Sequence, residues 1–153
     1  MNQRVMFYFD MDGVIADWVS AYNANAPMPL SDFELLSREE RAVLKEDLFN
    51  REFFANMPAL DRGMRLLLDF IDQGHDVMIL SASGRVNREE VIQGKIEMLY
   101  RHIPSHIEAR FVDKVEMKSQ EMVEGYDIHV LIDDRPQAID AWVAAGGVGY
   151  LFV

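Results

Sequence analysis

Val5-Met6-Phe7-Tyr8-Phe9-Asp10-Met11-Asp12-Gly13-Val14 is an apolar run that stops abruptly at two acids one residue apart, followed by a glycine. Apolar and aromatic residues in unbroken series read as a buried strand. On an extended strand alternate side chains share a face, so Asp10 and Asp12 point the same way. Two carboxylates side by side repel, and they coexist when a cation or a proton lies between them. At the C-terminal end of a buried strand, such a pair is a candidate site for metal-assisted chemistry.

Four more strand-like segments follow. Val77-Met78-Ile79-Leu80 ends at Ser81-Ala82-Ser83-Gly84, and Ala109 to Val112 is a shorter candidate. Ile128-His129-Val130-Leu131-Ile132 ends at Asp133-Asp134, and Val148 to Val153 closes the chain. Continuous apolar runs of this length suit parallel strands covered on both faces. Helical patterns separate them. Met64, Leu67, Leu68 and Ile71 share a face before Gly74, and Val91, Ile96, Leu99 and Tyr100 mark a second helix. Pro136 opens a third, which carries Ile139, Trp142 and Val143 and stops at Gly146-Gly147. Strands alternating with helices predict an α/β fold: a doubly wound parallel sheet of about five strands with right-handed crossovers and helices on both faces.

One connection is too long. The span from Gly13 to His75 far exceeds the roughly dozen residues that a crossover needs. Within it, Pro27 and Pro29 break the chain, Ser31 to Leu48 reads as helix with Ser31-x-x-Glu34 as a capping box, and Phe53-Phe54 and Pro58 follow. We read residues 16–60 as a small helical insertion beside the C-terminal edge of the sheet, within a single domain spanning 1–153.

Composition narrows the possibilities. The 153 residues are 50% hydrophobic and 27% charged, as in ordinary globular proteins. No apolar run approaches the ~18 residues of a membrane helix, and the N-terminus lacks a signal-peptide pattern. With no cysteine, disulfides and thiolate chemistry are excluded, and a cytoplasmic location is expected. The net charge of −11 and the lack of a Lys/Arg cluster disfavour tight binding of long nucleic acid. A small anionic substrate stays open, because a divalent ion and a few local cations reverse the field within one cleft.

Three strand ends thus carry polar groups suited to phosphate chemistry: Asp10 with Asp12, Ser81, and Asp133 with Asp134. Ligands of open α/β sheets bind outside the carboxyl ends of strands, where these groups converge if the strands are neighbours. Four acids in one cleft call for a hard cation such as Mg²⁺ and for a lysine. Lys114 and Lys118 both lie between the third and fourth strands, and Lys118 is favoured for its place in a short helix.

This pattern resembles the haloacid dehalogenase (HAD) superfamily of phosphohydrolases. Its four motifs read here as Asp10-x-Asp12-Gly13-Val14, Ser81 after an apolar strand, a lysine, and Leu131-Ile132-Asp133-Asp134. A closer resemblance, over nearly the whole chain, is to the 5′(3′)-deoxyribonucleotidase family. It rests on Asp10-Met-Asp-Gly-Val-Ile-Ala-Asp17, Phe53-Phe54 with Met57-Pro58, Gly63, Lys95 within Gly94-Lys95-Ile96, and Leu131-Ile-Asp-Asp-Arg-Pro136. The second motif departs, reading Ser-Ala-Ser-Gly-Arg where that family usually has Thr-Ser/Ala-x-Pro, and Trp18 stands where Phe is common. Leu131-Ile-Asp-Asp-Arg with Trp142 and Gly146-Gly147 is also similar to the phosphatase domain of polynucleotide kinase/phosphatases.

The resemblance implies a Mg²⁺-dependent phosphomonoesterase acting on a small nucleotide, with the insertion as a cap. It implies Asp10 as nucleophile and Asp12 as acid and base. Metal would be held by Asp10, the Asp12 carbonyl and Asp133 or Asp134, and phosphate by Ser81, Ala82 and Lys118. Arg85 and Lys95 are further candidates for substrate contact, and Trp18, Tyr22, Phe53 and Phe54 for base stacking. Taken singly, Ser81 also reads as a helix cap, Lys118 and Arg85 as solvated charge, and the aromatics as packing. The four histidines have no ligand spacing. An end-processing phosphatase on nucleic acid and a catalytically silent binding protein are the competing functions. The acidic charge argues against the first, and four costly carboxylates in one cleft argue against the second.

Overall fold

The computed structural model describes residues 3–153. Its centre is a parallel sheet in the order β3-β2-β1-β4-β5, formed by β1 (Val5–Phe9), β2 (Asp76–Ala82), β3 (Ala109–Val112), β4 (Ile128–Asp133) and β5 (Val148–Leu151). The order reverses at β1, so β2 and β4 flank it and the ends of all three strands meet at one edge of the sheet.

The apolar opening is buried because β1 is covered on both faces. Tyr8 and Met6 pack on one side with Met78, Leu80, Leu131 and Trp142. Phe9, the alternate residue, packs on the other with Ile79, Ile132, Met64, Leu67 and Met98. The first face is closed by α7 (Pro136–Ala144), whose fully buried Trp142 donates from Nε1 to the His129 carbonyl at 3.0 Å, and by a 3₁₀ helix, Val115–Glu121. The second is closed by α5 (Asp61–Asp72) and α6 (Arg88–Tyr100).

Between β1 and α5 lie four helices: α1 (Trp18–Asn25), α2 (Leu30–Glu34), α3 (Arg38–Leu48) and α4 (Arg51–Ala55). Tyr22, Phe33, Leu48, Phe53 and Phe54 extend the second core into this insertion. Asp17 caps α1 through its carboxylate and Asn50 caps α4 through its amide oxygen.

Three local expectations need correction. The segment 31–48 is two helices, and the capping box is Ser37 with Glu40, not Ser31 with Glu34. Ser31 sits inside α2, while Ser37 is extended and accepts from the Glu40 N–H. The buried face of α6 runs through Val91, Gly94, Lys95, Met98 and Leu99, and Ile96 turns outward. An apolar-only reading rotates that face, because one of its buried members is a lysine. Strand β5 stops at Leu151, and Val148, Tyr150 and Leu151 are exposed, since an edge strand is not covered on both faces. Among the described residues, no helix is long and apolar enough to cross a membrane.

Candidate active site

Asp10 directly follows β1 and its N–H donates to the Ile132 carbonyl at 3.0 Å, so the end of β4 holds the chain in register there. Gly13 has φ +83°, a left-handed conformation that lets the chain turn back at once. A Cβ at Gly13 would overlap the Asp134 carboxylate, so a glycine is required twice over. The turn leaves Asp10 almost fully buried and Asp12 partly exposed in the cleft.

The two acids have separate partners. Lys118 Nζ donates to Asp10 Oδ1 at 2.9 Å and to Asp133 Oδ2 at 2.7 Å. Lys95 Nζ donates to Asp12 Oδ2 at 3.1 Å, to Ser81 Oγ at 2.8 Å and to the Ala82 carbonyl at 2.9 Å. Both ammonium groups are fully buried. Burial alone would draw the Lys118 ammonium down, but Asp10 and Asp133 outweigh it and hold it above its ordinary value. Burial pushes the Asp12 carboxyl up; Lys95 pulls against this and the charge of Asp10 adds to it, leaving a net upward shift.

One oxygen each from Asp10, Asp133 and Asp134 lies within 4.8 Å of the others. The Arg135 N–H donates to Asp133 Oδ1 at 3.0 Å and orients that carboxylate. Asp134 Oδ1 is buried without a hydrogen-bond partner among the described residues. Burial, then Asp10 and Asp133, push the Asp134 carboxyl up to about 7. Clustered hard oxygens with one left unpartnered fit a hard divalent cation such as Mg²⁺. The Asp12 carboxylate lies outside this cluster and accepts from Lys95.

A cleft of about 950 Å³ opens over these groups, large enough for a nucleotide. Asp10, Asp12, Ala82, Lys95 and Asp134 line its floor, and Trp18, Phe33, Phe49 and Phe54 line the wall formed by the insertion. Of the two lysines left open by the sequence, Lys118 reaches Asp10, while Lys114 is exposed at the rim. Tyr22 is buried beneath Trp18 in a stacked pair, and Phe53 packs inside the insertion between Phe49 and Phe54. Arg85 is exposed outside the lining of the cleft and pairs with Asp113, which lines it, at 3.4 Å. Arg41, Lys45, Phe49 and Arg135 also line the cleft. Of these only Arg135 carries a sequence signal, as part of Leu131 to Pro136.

Reversed strand order, acids at the β1 and β4 ends, a hydroxyl at β2 and a lysine before β4 accompany a fold that this chain shares with HAD-type hydrolases. A HAD-like hydrolase of Streptococcus pneumoniae superposes over 100% of this chain and 86% of its own, with TM-score 0.63 and 10% identity. The HAD-type protein YfnB of Bacillus subtilis, solved bound to magnesium, does so over 99% and 87%, with TM-score 0.64 and 14% identity. D,D-heptose 1,7-bisphosphate phosphatase of Burkholderia thailandensis covers 94% and 75%, with TM-score 0.55 and 13% identity. No curated protein matches the sequence. The family described as 5′ nucleotidase, deoxy (pyrimidine), cytosolic type C protein matches residues 4–151, and this chain belongs to it.

Proposed function

We propose that this chain is a cytoplasmic Mg²⁺-dependent phosphomonoesterase that removes phosphate from a (deoxy)nucleoside monophosphate through an aspartyl-phosphate. The observation that carries this reading is the separate pairing of the two acids, Asp10 with Lys118 and Asp12 with Lys95. It gives neighbouring carboxylates different surroundings, as a nucleophile and an acid require.

Asp10, Asp133 and Asp134 would hold Mg²⁺, which when bound neutralises phosphoryl charge and orients the group. Lys118 donates to Asp10 Oδ1 and aims its carboxylate. The Asp10 carboxylate attacks phosphorus, the bond to the leaving oxygen breaks, and that oxygen takes the Asp12 proton. In the return step Asp12 accepts a proton from water, the resulting hydroxide attacks phosphorus, and the bond from phosphorus to Asp10 breaks. The raised proton affinity of Asp12 suits both transfers. Ser81 and Lys118 donate to the phosphoryl oxygens as charge shifts onto them. The insertion acts as a cap that excludes water, and Trp18 and Phe54 offer faces for a base.

The test is release of inorganic phosphate from a panel of nucleoside and deoxynucleoside monophosphates, with Mg²⁺ and with EDTA. Metal-dependent turnover that disappears in Asp10→Asn is expected. Turnover indifferent to EDTA, or equal in the variant, overturns the mechanism.

A further inference from the structure

The cleft has a second charged region that the chemistry above does not use. Arg41 and Lys45 stand four residues apart on α3, on one face of that helix, and both line the cleft from the insertion. Arg135, at the start of α7, lines it from the sheet side. The side chains of all three lack an ion-pair or hydrogen-bond partner among the described residues. In a chain with a net charge of −11, three unpaired cations lining one cleft are unusual. Of the acids that line the cleft outside its floor, Asp17 is engaged by Ser20, Asp113 pairs with Arg85 and Arg88, and Glu34 and Glu116 pair with no cation among the described residues. Arg41 and Arg135 also bear on Lys45, whose ammonium is drawn down by burial first and then by these two neighbours. Like charges held together at a cost are stabilised when an anion enters between them.

The floor of the cleft has its own donors for a phosphoryl group: Lys118 bonds to Asp10 and Lys95 to Asp12 and Ser81, whereas Arg41 and Lys45 bond to none of these. Four carboxylates face two buried ammonium groups there, and a bound divalent ion offsets the rest. A nucleoside monophosphate brings no further negative charge, because its sugar and base are neutral near pH 7. The group on a nucleotide that would use three cations is another phosphoryl.

Resting on the nucleotidase reading, we propose that Arg41 and Lys45, with Arg135 across the cleft, form a second anion subsite, so that the preferred substrate is a nucleoside bisphosphate. The scissile phosphoryl lies at Asp10 and the other, on a different sugar hydroxyl, is gripped by the insertion.

The experiment compares kcat/KM for a deoxynucleoside 3′,5′-bisphosphate with that for the 5′- and 3′-monophosphates of the same nucleoside, in the wild type and in R41Q/K45Q. Wild type is expected to favour the bisphosphate by about tenfold or more, the scale of one charge-assisted hydrogen bond. The double variant loses that preference through KM, while monophosphate turnover holds within about twofold. No preference in the wild type, or equal losses on mono- and bisphosphates, overturns the subsite. A 5′- or 3′-phosphorylated oligonucleotide preferred over the bisphosphate also overturns it, in favour of a polymer end. If no nucleotide is turned over, the nucleotidase reading fails separately. Calorimetric titration of Asp10→Asn with bisphosphate and monophosphate then still reads the subsite, and equal affinities overturn it.

Discussion

Gly63 lies in the first turns of α5, fully buried, with its Cα against the main chain of Val14. A Cβ there would fall inside the van der Waals envelope of the Val14 carbonyl oxygen and crowd the Val14 carbonyl carbon at 2.5 Å. The neighbour is backbone, so it cannot rotate away. Either α5 shifts outward or the turn carrying Asp12, Gly13 and Val14 is pushed, by on the order of 1 Å. Overpacking of this kind costs about 1–3 kcal/mol, and contact with main chain places Gly63→Ala at the upper end. The gain in helix propensity from Gly to Ala returns about 0.8–1 kcal/mol. The net loss is therefore about 2 kcal/mol, or a fall in Tm of about 4–8 °C for a domain of this size. The same displacement moves the acids on the turn, and a misplacement near 1 Å can lower kcat by about 10²-fold. Thermal melting by circular dichroism and phosphate release on one preparation check both. A Tm within about 1 °C of wild type together with unchanged kcat would refute the argument that this contact fixes the turn.

Asp10→Asn should lower turnover by at least about 10³-fold with the fold intact, checked by single-turnover phosphate release and circular dichroism. Lys118→Met leaves Asp10 and Asp133 facing each other without a counter-charge, and should cost about 3–5 kcal/mol in metal-free protein. An unmoved urea midpoint would contradict this. In metal-free protein the Asp134 carboxyl sits at about 7, above its unfolded value. The folded state therefore holds the extra proton, and the stability this confers is full below about pH 4 and lost as pH rises towards 7. Tm of the chelated protein should fall over that window relative to Asp134→Asn, and parallel curves would count against the assignment. Lys95→Met removes the group that pulls the Asp12 carboxyl down. The alkaline limb of the pH–rate profile should then move to higher pH, and a shift to lower pH would exclude Asp12 as the acid.

Much of this architecture is legible in the chain because its strands are short apolar runs that end on acids or a hydroxyl. Strand β1 with Asp10 and Asp12, and β4 with Asp133 and Asp134, are visible for that reason. Lys118 is legible because a single helical segment lies between β3 and β4. Features that depend on distant contacts are harder to read. Lys95 is 83 residues from Asp12, and its burial within an otherwise apolar helix face misdirects the periodicity of α6. Arg41 and Lys45 look like a solvated helix pair until the insertion folds over the cleft. The split of α2 from α3 turns on which of two Ser-x-x-Glu sequences binds its own backbone, a choice that packing of Phe33 makes and local pattern does not. The exposure of β5 follows from strand order, which local sequence does not encode.

Helix α6 is stitched to the insertion at both ends. Asn87 Nδ2 donates to the carbonyls of Glu46 and Phe49 at 3.0 and 2.8 Å, and Arg101 donates to the Ala55 carbonyl. Between these stitches the same helix carries Lys95, whose ammonium rests on Asp12. A displacement of the insertion would therefore pull on a rod whose midpoint holds the Asp12 carboxylate, so the two ends of this helix tie the wall of the cleft to its floor.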